Sequence, residues 1–357
     1  MNVRLLNKTN DRLARFLVGK TVKSVEAGVD DKLFVSPLTN VLFKETLEGL
    51  KVVEANRHGK YFWIRFHDSP KVALFHFGMT GWIKVRNIET HFIAMENGGD
   101  KKIAEIFKNE EDKKKQAENS FTENPDMEWP PKFHKFILKT DDDMEFAFTD
   151  PRRLGRIRVL DASTDEELMN QEPLKRQGID FSDPKNRWDY ETFSKEISRR
   201  KLPVKSLLMK QEVFAGVGNW VASPEQMTND LPEDMMRTFH DKVVEICEFV
   251  VKVEGNTAAF PEDFLMLYRW GKGRKDQVKT PQGYVVKHLE VGGRTSSYIP
   301  ELQKKAGSGA EKRKTDSNSE SSKRQKVKSE SEEEESEEKS RPTATTRSGR
   351  TSRKPKN

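Results

Sequence analysis

The 357-residue sequence predicts an α+β fold: a β-sandwich-like domain, then a helical domain, a small β-hairpin and a disordered, charged tail. Three observations predict this order. Apolar residues alternate with polar ones through much of residues 1–160, recur at helical spacing through 161–270, and alternate again in a Gly- and Pro-containing stretch at 271–305. Residues 306–357 contain no aromatic residue and cannot bury enough apolar surface to offset the entropy of ordering them.

The β-rich domain begins with one predicted short helix at residues 11–17. Three stretches with strand-like alternation and glycines between them follow, at residues 17–27, 51–66 and 71–85. Residues 132–160 then predict a hairpin and one further strand. Such a series of short alternating strands is typical of a sandwich or a barrel-like domain.

Residues 87–130 interrupt this pattern. They carry 6 basic and 11 acidic residues, and apolar residues are sparse among them. A structureless loop of this length is unusual inside a compact domain, so we interpret the segment as a surface insertion with a short exposed helix at residues 101–117. The whole chain has a net charge of +6. The insertion contributes −5 and the tail +4, so the remaining residues carry a net charge of +7. The modest total therefore hides a basic body, which makes nucleic acid a candidate partner.

The helical domain is predicted from five stretches whose apolar residues recur every three or four positions. They are residues 166–177, 188–201, 204–210, 233–253 and 261–270. The following stretch, KTPQGYVVKHLEVGGRTSSYIPEL, combines Gly, Pro and β-branched residues, which predicts the small hairpin.

Composition excludes several classes of protein. No run of about 18 or more apolar residues exists, so no contact with the membrane interior is expected, and residues 1–10 lack the apolar core of a secretory signal. The single cysteine, Cys247, excludes an internal disulfide framework and a Cys-rich zinc site, and its apolar helical face predicts a buried thiol. Basic clusters at residues 312–314 and 323–328 resemble a nuclear import signal, so we expect import machinery as a partner and a nuclear location; a solvated linker is the alternative.

Five separated segments resemble, in the same order, motifs of the formamidopyrimidine-DNA glycosylase/endonuclease VIII family of base-excision repair enzymes. They are RHGKYFWI, HFGMTGWIKV, TDPRRLGR, KSLLMKQEVFAGVGNWVA and GGRTSSYIPELQ. The resemblance covers residues 13–305 outside the insertion, and the sequence looks most like plant and fungal members, whose terminal finger lacks zinc. It implies a helix–two-turn–helix motif in the helical domain, damaged double-stranded DNA as partner, a monomer, and no cofactor. No zinc is expected, since His288 alone in the finger cannot build a tetrahedral site.

The resemblance assigns phosphate contacts to Lys60, Lys205, Asn219 and Arg294. Lysine supplies a compact point charge, and glycines beside Lys60 and Asn219 allow close approach of the backbone. N–H groups at the start of a helix also favour an anion, which fits the position expected for Asn219.

The resemblance also assigns three residues to the gap that an everted base leaves in the duplex. Met79 would enter the gap, Arg152 would pair with the orphaned base opposite, and Leu154 would wedge between base steps where many bacterial members have Phe. Flipping a base costs a few kcal/mol, so filling the gap is part of the chemistry.

Two departures from the family concern catalysis. Family members begin Met-Pro-Glu; the proline amine attacks the sugar C1′ to give a Schiff base, and the glutamate handles protons. This sequence begins MNVRLLNKTN, so no catalytic residue can be assigned in it. After Ala222 the sequence turns at once to Ser223 and Pro224, where the family continues the second helix of its motif. An imperfect gene model or splice form and a degenerate paralogue both account for these departures.

Three functions follow from these expectations. The first is a DNA glycosylase and AP lyase that removes oxidised bases such as 8-oxoguanine and formamidopyrimidines. The second is a catalytically inactive protein that binds damaged DNA. This function is the one expected of the sequence as it stands, without the proline nucleophile of the family. The third is a chromatin-tethered interaction protein that acts through its tail.

Overall fold

A computed structural model describes residues 15–90, 111, 114, 121–218, 226–253, 256–271 and 277–304. These residues form a mixed helix and sheet fold in the predicted order, with an N-terminal β domain, a helical domain and a terminal hairpin. Within these ranges no helix is both long and apolar enough to cross a membrane.

Two antiparallel sheets build the β domain. The strands are β1 Val22–Ala27, β2 Val52–His58, β3 Tyr61–Phe66, β4 Lys71–His76, β5 Trp82–Val85, β6 Ile88–Thr90, β7 Phe121–Glu123, β8 His134–Thr140, β9 Glu145–Thr149 and β10 Arg156–Asp161. The six-stranded sheet has the order β1-β8-β9-β5-β6-β7, and the four-stranded sheet has the order β10-β4-β3-β2.

The core of the β domain is rich in phenylalanine. Phe62 and Phe75 stack across the four-stranded sheet with ring centroids 4.9 Å apart, and Phe136 and Phe148 stack on the six-stranded sheet at 5.6 Å. Phe43 lies between the sheets, 5.1 Å from Phe136. Such aromatic pairs contribute about 0.5–1.5 kcal/mol each beyond the area that they bury.

A helix that the sequence pattern did not predict lies between β1 and β2. This helix, α1, spans Asn40–Leu47 and buries Phe43 and Leu47. The Thr39 hydroxyl caps it by accepting the N–H of Leu42 at 3.1 Å. Of the short helix expected at residues 11–17, Arg15 and Phe16 are helical and residues 11–14 lie outside the described ranges.

The helical domain contains shorter helices than the sequence predicts. Helix α2 (Asp165–Met169) ends early and is followed by a 3-10 turn at Leu174–Arg176. The predicted helix at 261–270 is instead a 3-10 segment, Leu265–Gly271. The remaining helices are α3 Tyr190–Ser198, α4 Val204–Leu208 and α5 Glu233–Lys252.

The helical domain has its own core, in which Phe181, Phe193 and Phe214 pack together with Cys247 from α5. Burial raises the pKa of the Cys247 thiol to about 12, which confirms a buried, unreactive thiol.

The insertion is tied to the sheet at both ends. Strands β6 and β7 pair antiparallel, with Thr90 opposite Phe121, so the ends of the 87–130 segment extend the six-stranded sheet. Glu111 and Lys114 are helical, and the rest of the helix predicted at 101–117 lies outside the described residues, as does the tail at 306–357.

The terminal hairpin consists of β11 (Lys287–Val291) and β12 (Arg294–Tyr298). Gly292 and Gly293 connect the strands with φ angles of 58° and 70°. The two-residue turn whose twist matches that of a hairpin needs positive φ at both of its central residues. Glycine adopts such angles readily, which explains the Gly-Gly sequence.

A buried ion pair joins the two domains. The Arg57 guanidinium, at the end of β2, donates to the Asp180 carboxylate at 2.5 Å, with side chains only 11% and 3% exposed. Asp180 also accepts the Gly59 N–H at 2.8 Å. Burial alone would raise the pKa of Asp180, but Arg57 and hydrogen bonds from Ser182 and Gly59 outweigh it and hold the pKa below its ordinary value.

Asp180→Asn is therefore expected to lower the free energy of unfolding by about 3 kcal/mol at pH 7, because it leaves a buried guanidinium without its counter-charge. The pKa of Asp180 is lowered by folding, so its contribution is present above the unfolded pKa of about 4 and is lost as the pH falls through the folded value. Urea unfolding at pH 7 and in acid measures it. Asp263→Asn, at an exposed position of the same domain, is the control; equal effects of the two variants would contradict the prediction.

Candidate nucleic-acid interface

The turn between β2 and β3 packs directly on the turn that precedes Asn219. Gly59 has a φ of +57°, and a Cβ there would lie 2.8 Å from the Ala215 Cβ and 3.1 Å from the Gly216 nitrogen. Gln211 fixes the second turn by accepting the Gly216 N–H at 3.1 Å and donating to the Val217 carbonyl at 2.8 Å. Only glycine at 59 permits this approach, which places Lys60 beside the segment leading to Asn219. Asn219 itself lies outside the described residues.

Lys60 belongs to a cluster of positive charges. Burial and the charge of Arg294 lower the pKa of Lys60 to about 8. Two of the residues predicted to bind phosphate therefore lie close enough for their charges to interact. Burial, followed by the charges of Lys60, Arg158 and Arg156, lowers the pKa of His76 to about 4. Neighbouring cations that lower the pKa of a partly buried basic group in this way form a site suited to an anion.

The Met79 loop is anchored on both sides of its tip. The His76 imidazole accepts the Gly78 N–H at Nδ1, 3.0 Å away, and its low pKa keeps that nitrogen unprotonated at neutral pH. Gly78 has a φ of +61°, and a Cβ there would lie 2.4 Å from the Leu154 carbonyl carbon and oxygen. The Met79 side chain is 43% exposed and that of Leu154 is 37% exposed. Two apolar side chains predicted to enter DNA therefore stand on adjoining loops.

The loop that carries Arg152 and Leu154 is held by two aspartates. Asp150 is fully buried and accepts the N–H groups of Gly155 at 2.7 Å and Arg152 at 3.3 Å. Asp30 accepts two bonds from the Arg153 guanidinium, both of 2.9 Å. Arg153 is thus an anchor within the protein, whereas the neighbouring Arg152 side chain is exposed.

The terminal hairpin lies against helix α4. A Cβ at Gly292 would lie 2.5 Å from the Ser206 hydroxyl, so the hairpin turn touches this helix, and Arg294 next to it is exposed. Lys205 is only 2% exposed, in the same helix as the buried Val204, Leu207 and Leu208. The contact of Lys205 with phosphate stays a prediction. Nowhere in the described ranges do three His, Cys, Asp or Glu residues gather as a metal site.

Two residues that shape this surface were not among the site residues predicted from the sequence. Asp150 and Asp180 act through partners that lie 70 and 123 positions away in the chain. Only the position of Asp150 inside the segment TDPRRLGR marks it as part of a motif.

Comparison with known proteins finds relatives among DNA glycosylases. A family model described as the formamidopyrimidine-DNA glycosylase N-terminal domain matches residues 6–157. The formamidopyrimidine-DNA glycosylase of Arabidopsis thaliana is 29% identical over 307 residues, 83% of this chain and 68% of that protein. The enzyme of Lactobacillus delbrueckii subsp. bulgaricus is 24% identical over 312 residues, 82% of this chain and 95% of that protein.

Solved structures show the same fold. Lactococcus lactis Fpg in complex with abasic-site DNA has a TM-score of 0.63 at 19% identity, covering 85% of this chain and 100% of that one. The same protein with Fapy-dG DNA gives 0.62 at 19% identity, covering 84% and 99%. The two-domain fold is thus one used by DNA glycosylases. In sequence and in fold the chain is therefore similar to formamidopyrimidine-DNA glycosylases.

Lys60→Met is expected to raise the free energy of unfolding at pH 7 by on the order of 1–3 kcal/mol, because it removes a charge from a half-buried, cationic site. The folded pKa of about 8 lies below the ordinary value of 10.5, so the unfolded chain binds more protons between these values and wild-type stability rises with pH there. The advantage of the variant should therefore shrink as the pH rises from 8 towards 10.5.

Urea unfolding at pH 7, 8.5 and 10 measures this difference. Lys32→Met, at an exposed position of the same domain, is the control and should show no such trend. A Lys60→Met variant less stable than wild type at pH 7 would contradict the prediction.

Proposed function

We propose that the protein is a DNA glycosylase and AP lyase that removes oxidised purines, 8-oxoguanine and formamidopyrimidines, from duplex DNA. The observation that carries the proposal is the placement of the exposed Met79 and Leu154 tips on adjoining loops of the β domain. The same domain holds Lys60, whose pKa is lowered by the charge of Arg294 in the terminal hairpin. The names of the solved complexes support the substrate class, because relatives of the same fold bind DNA with an abasic site or Fapy-dG.

Each part of this surface has a separate task in the proposal. Lys60 and Arg294 bind backbone phosphates at the lesion, where a phosphate supplies the negative charge that the cluster lacks. Met79 and Leu154 occupy the space of the everted base, and Arg152 donates to the base left without a partner. Phosphate contacts set affinity for any duplex, whereas the inserted side chains distinguish a damaged one.

Arg294→Ala is expected to weaken binding to damaged and undamaged duplexes alike, by about tenfold, and to reduce the salt dependence by about one phosphate contact. Arg152→Ala should instead lower the ratio of affinities for abasic-site and undamaged duplexes. Fluorescence anisotropy at several salt concentrations measures both. Lys287→Ala, an exposed residue at the opposite end of the hairpin, is the control for Arg294; equal losses from these two changes would contradict the assignment.

Activity is tested by borohydride trapping of the full chain on duplexes with 8-oxoguanine or an abasic site, since reduction fixes a Schiff base as a stable adduct. Release of the free base is followed by mass spectrometry. Peptide mapping of the adduct identifies the amine that attacks C1′. Damage-specific binding with neither base release nor adduct would sink the enzymatic proposal and leave a protein that only binds damaged DNA.

We further propose a nuclear location, supported by the basic clusters at residues 312–314 and 323–328. Replacing the lysines and arginines of both clusters with alanine should move a fluorescent fusion of the full chain from the nucleus to the cytoplasm. The same number of alanines placed at the acidic residues of 330–338 is the control. Nuclear signal that survives the first change would refute this location signal.

A further inference from the structure

The two DNA-inserting loops are connected by one buried carboxylate. Thr80, directly after Met79, donates its hydroxyl to the Asp150 Oδ1 at 2.7 Å. The other oxygen, Oδ2, accepts the Gly155 N–H at 2.7 Å, directly after Leu154. Asp150 has no exposed surface. The residues that follow the two apolar tips are therefore bonded to opposite oxygens of the same side chain.

A second contact, between Gly78 and the Leu154 backbone, also holds the two loops together. Gly78 lies so close to the Leu154 backbone that a Cβ would come within 2.4 Å of it. Met79 is thus flanked by residues that both touch the other loop, through Gly78 on one side and Thr80 on the other. Neither loop can shift without straining the other.

We propose that Asp150 is a positioning residue that makes Met79, Arg152 and Leu154 enter the duplex as one unit. The inference rests on the proposed function, because it assigns the cause of the lesion discrimination that the function requires. A buried carboxylate suits this role, since its oxygens accept three donors from two loops at fixed directions, and a half-satisfied group at this depth is costly. Asp150 touches neither the base nor the sugar in this assignment; it acts through the loops.

Thr80→Val and Thr80→Ser form the matched pair that tests the proposal. Valine has nearly the shape of threonine but removes the donor, which breaks the connection between the loops and leaves the bonds of Asp150 within its own loop intact. Serine keeps the hydroxyl. We expect Thr80→Val to lower the preference for an abasic-site duplex over an undamaged one by about tenfold, with affinity for undamaged DNA unchanged, and Thr80→Ser to restore the preference to within about twofold.

Insertion of the loops into the duplex gives a second measurement, which a purely structural role of Asp150 would not change. A 2-aminopurine opposite the abasic site reports insertion of the loops through its fluorescence. Thr80→Val should reduce the change in fluorescence at saturating protein, and Asp150→Asn should do so at least as strongly. Equal behaviour of Thr80→Val and Thr80→Ser, or wild-type discrimination by Thr80→Val and Asp150→Asn, would overturn the proposal.

Hydrogen exchange without DNA separates this inference from the proposed function. Amides of residues 78–81 should exchange faster in Thr80→Val than in Thr80→Ser, since the loop loses its connection to Asp150. Faster exchange together with a wild-type chain that fails to discriminate damaged DNA would reject the function and keep the connection between the loops. Unchanged exchange in Thr80→Val would reject the connection itself, whatever the wild-type chain binds.

Discussion

The ion pair between Arg57 and Asp180 is the constraint on which the arrangement of the two domains depends. Asp180 lies in a segment whose backbone bonds to residues 211–215, and its carboxylate crosses to the β2–β3 turn. The segment with Asp180 therefore bonds the turn with Lys60 through its carboxylate and the turn that precedes Asn219 through its backbone. Because both charges are buried, neither partner can turn back to water without leaving the other uncompensated. The turns of two separate cores are in this way fixed to each other.

The cationic cluster around Lys60 represents a conflict between stability and recognition. Positive charges held together in a partly dry site oppose one another, as the lowered pKa values of Lys60 and His76 show. A phosphate placed among them would reverse the sign of the local field, so that DNA binding and protonation of Lys60 favour each other. His76 contributes in its neutral form, since only an unprotonated Nδ1 can accept the Gly78 N–H. The same electrostatic field thus keeps the loop acceptor available.

Local pattern predicted much of the fold, because alternation and helical spacing record which face of an element is buried. It missed α1, whose eight residues bury only Phe43 and Leu47 and are marked mainly by the Thr39 cap. It also took Leu265–Gly271 for an α-helix, because apolar spacing of three or four does not distinguish a 3-10 segment. Of the site, motif resemblance did not indicate that Lys205 is buried, since exposure depends on packing that a motif does not record. Asp150 and Asp180 act through partners distant in the chain, which no local pattern reveals.

The pairing of β6 with β7 bears on how this chain could acquire new parts. Thr90 and Phe121 are cross-strand partners at the edge of the six-stranded sheet. The two ends of the segment that connects them therefore lie within a few ångströms of each other. The entropy of closing such a connection rises only slowly with its length. Evolution can therefore lengthen, shorten or replace the sequence between these two residues while the core and the loops with Met79 and Leu154 stay as they are. This position is an entry point for a grafted reporter or an accessory domain, built into the edge of a repair-enzyme scaffold.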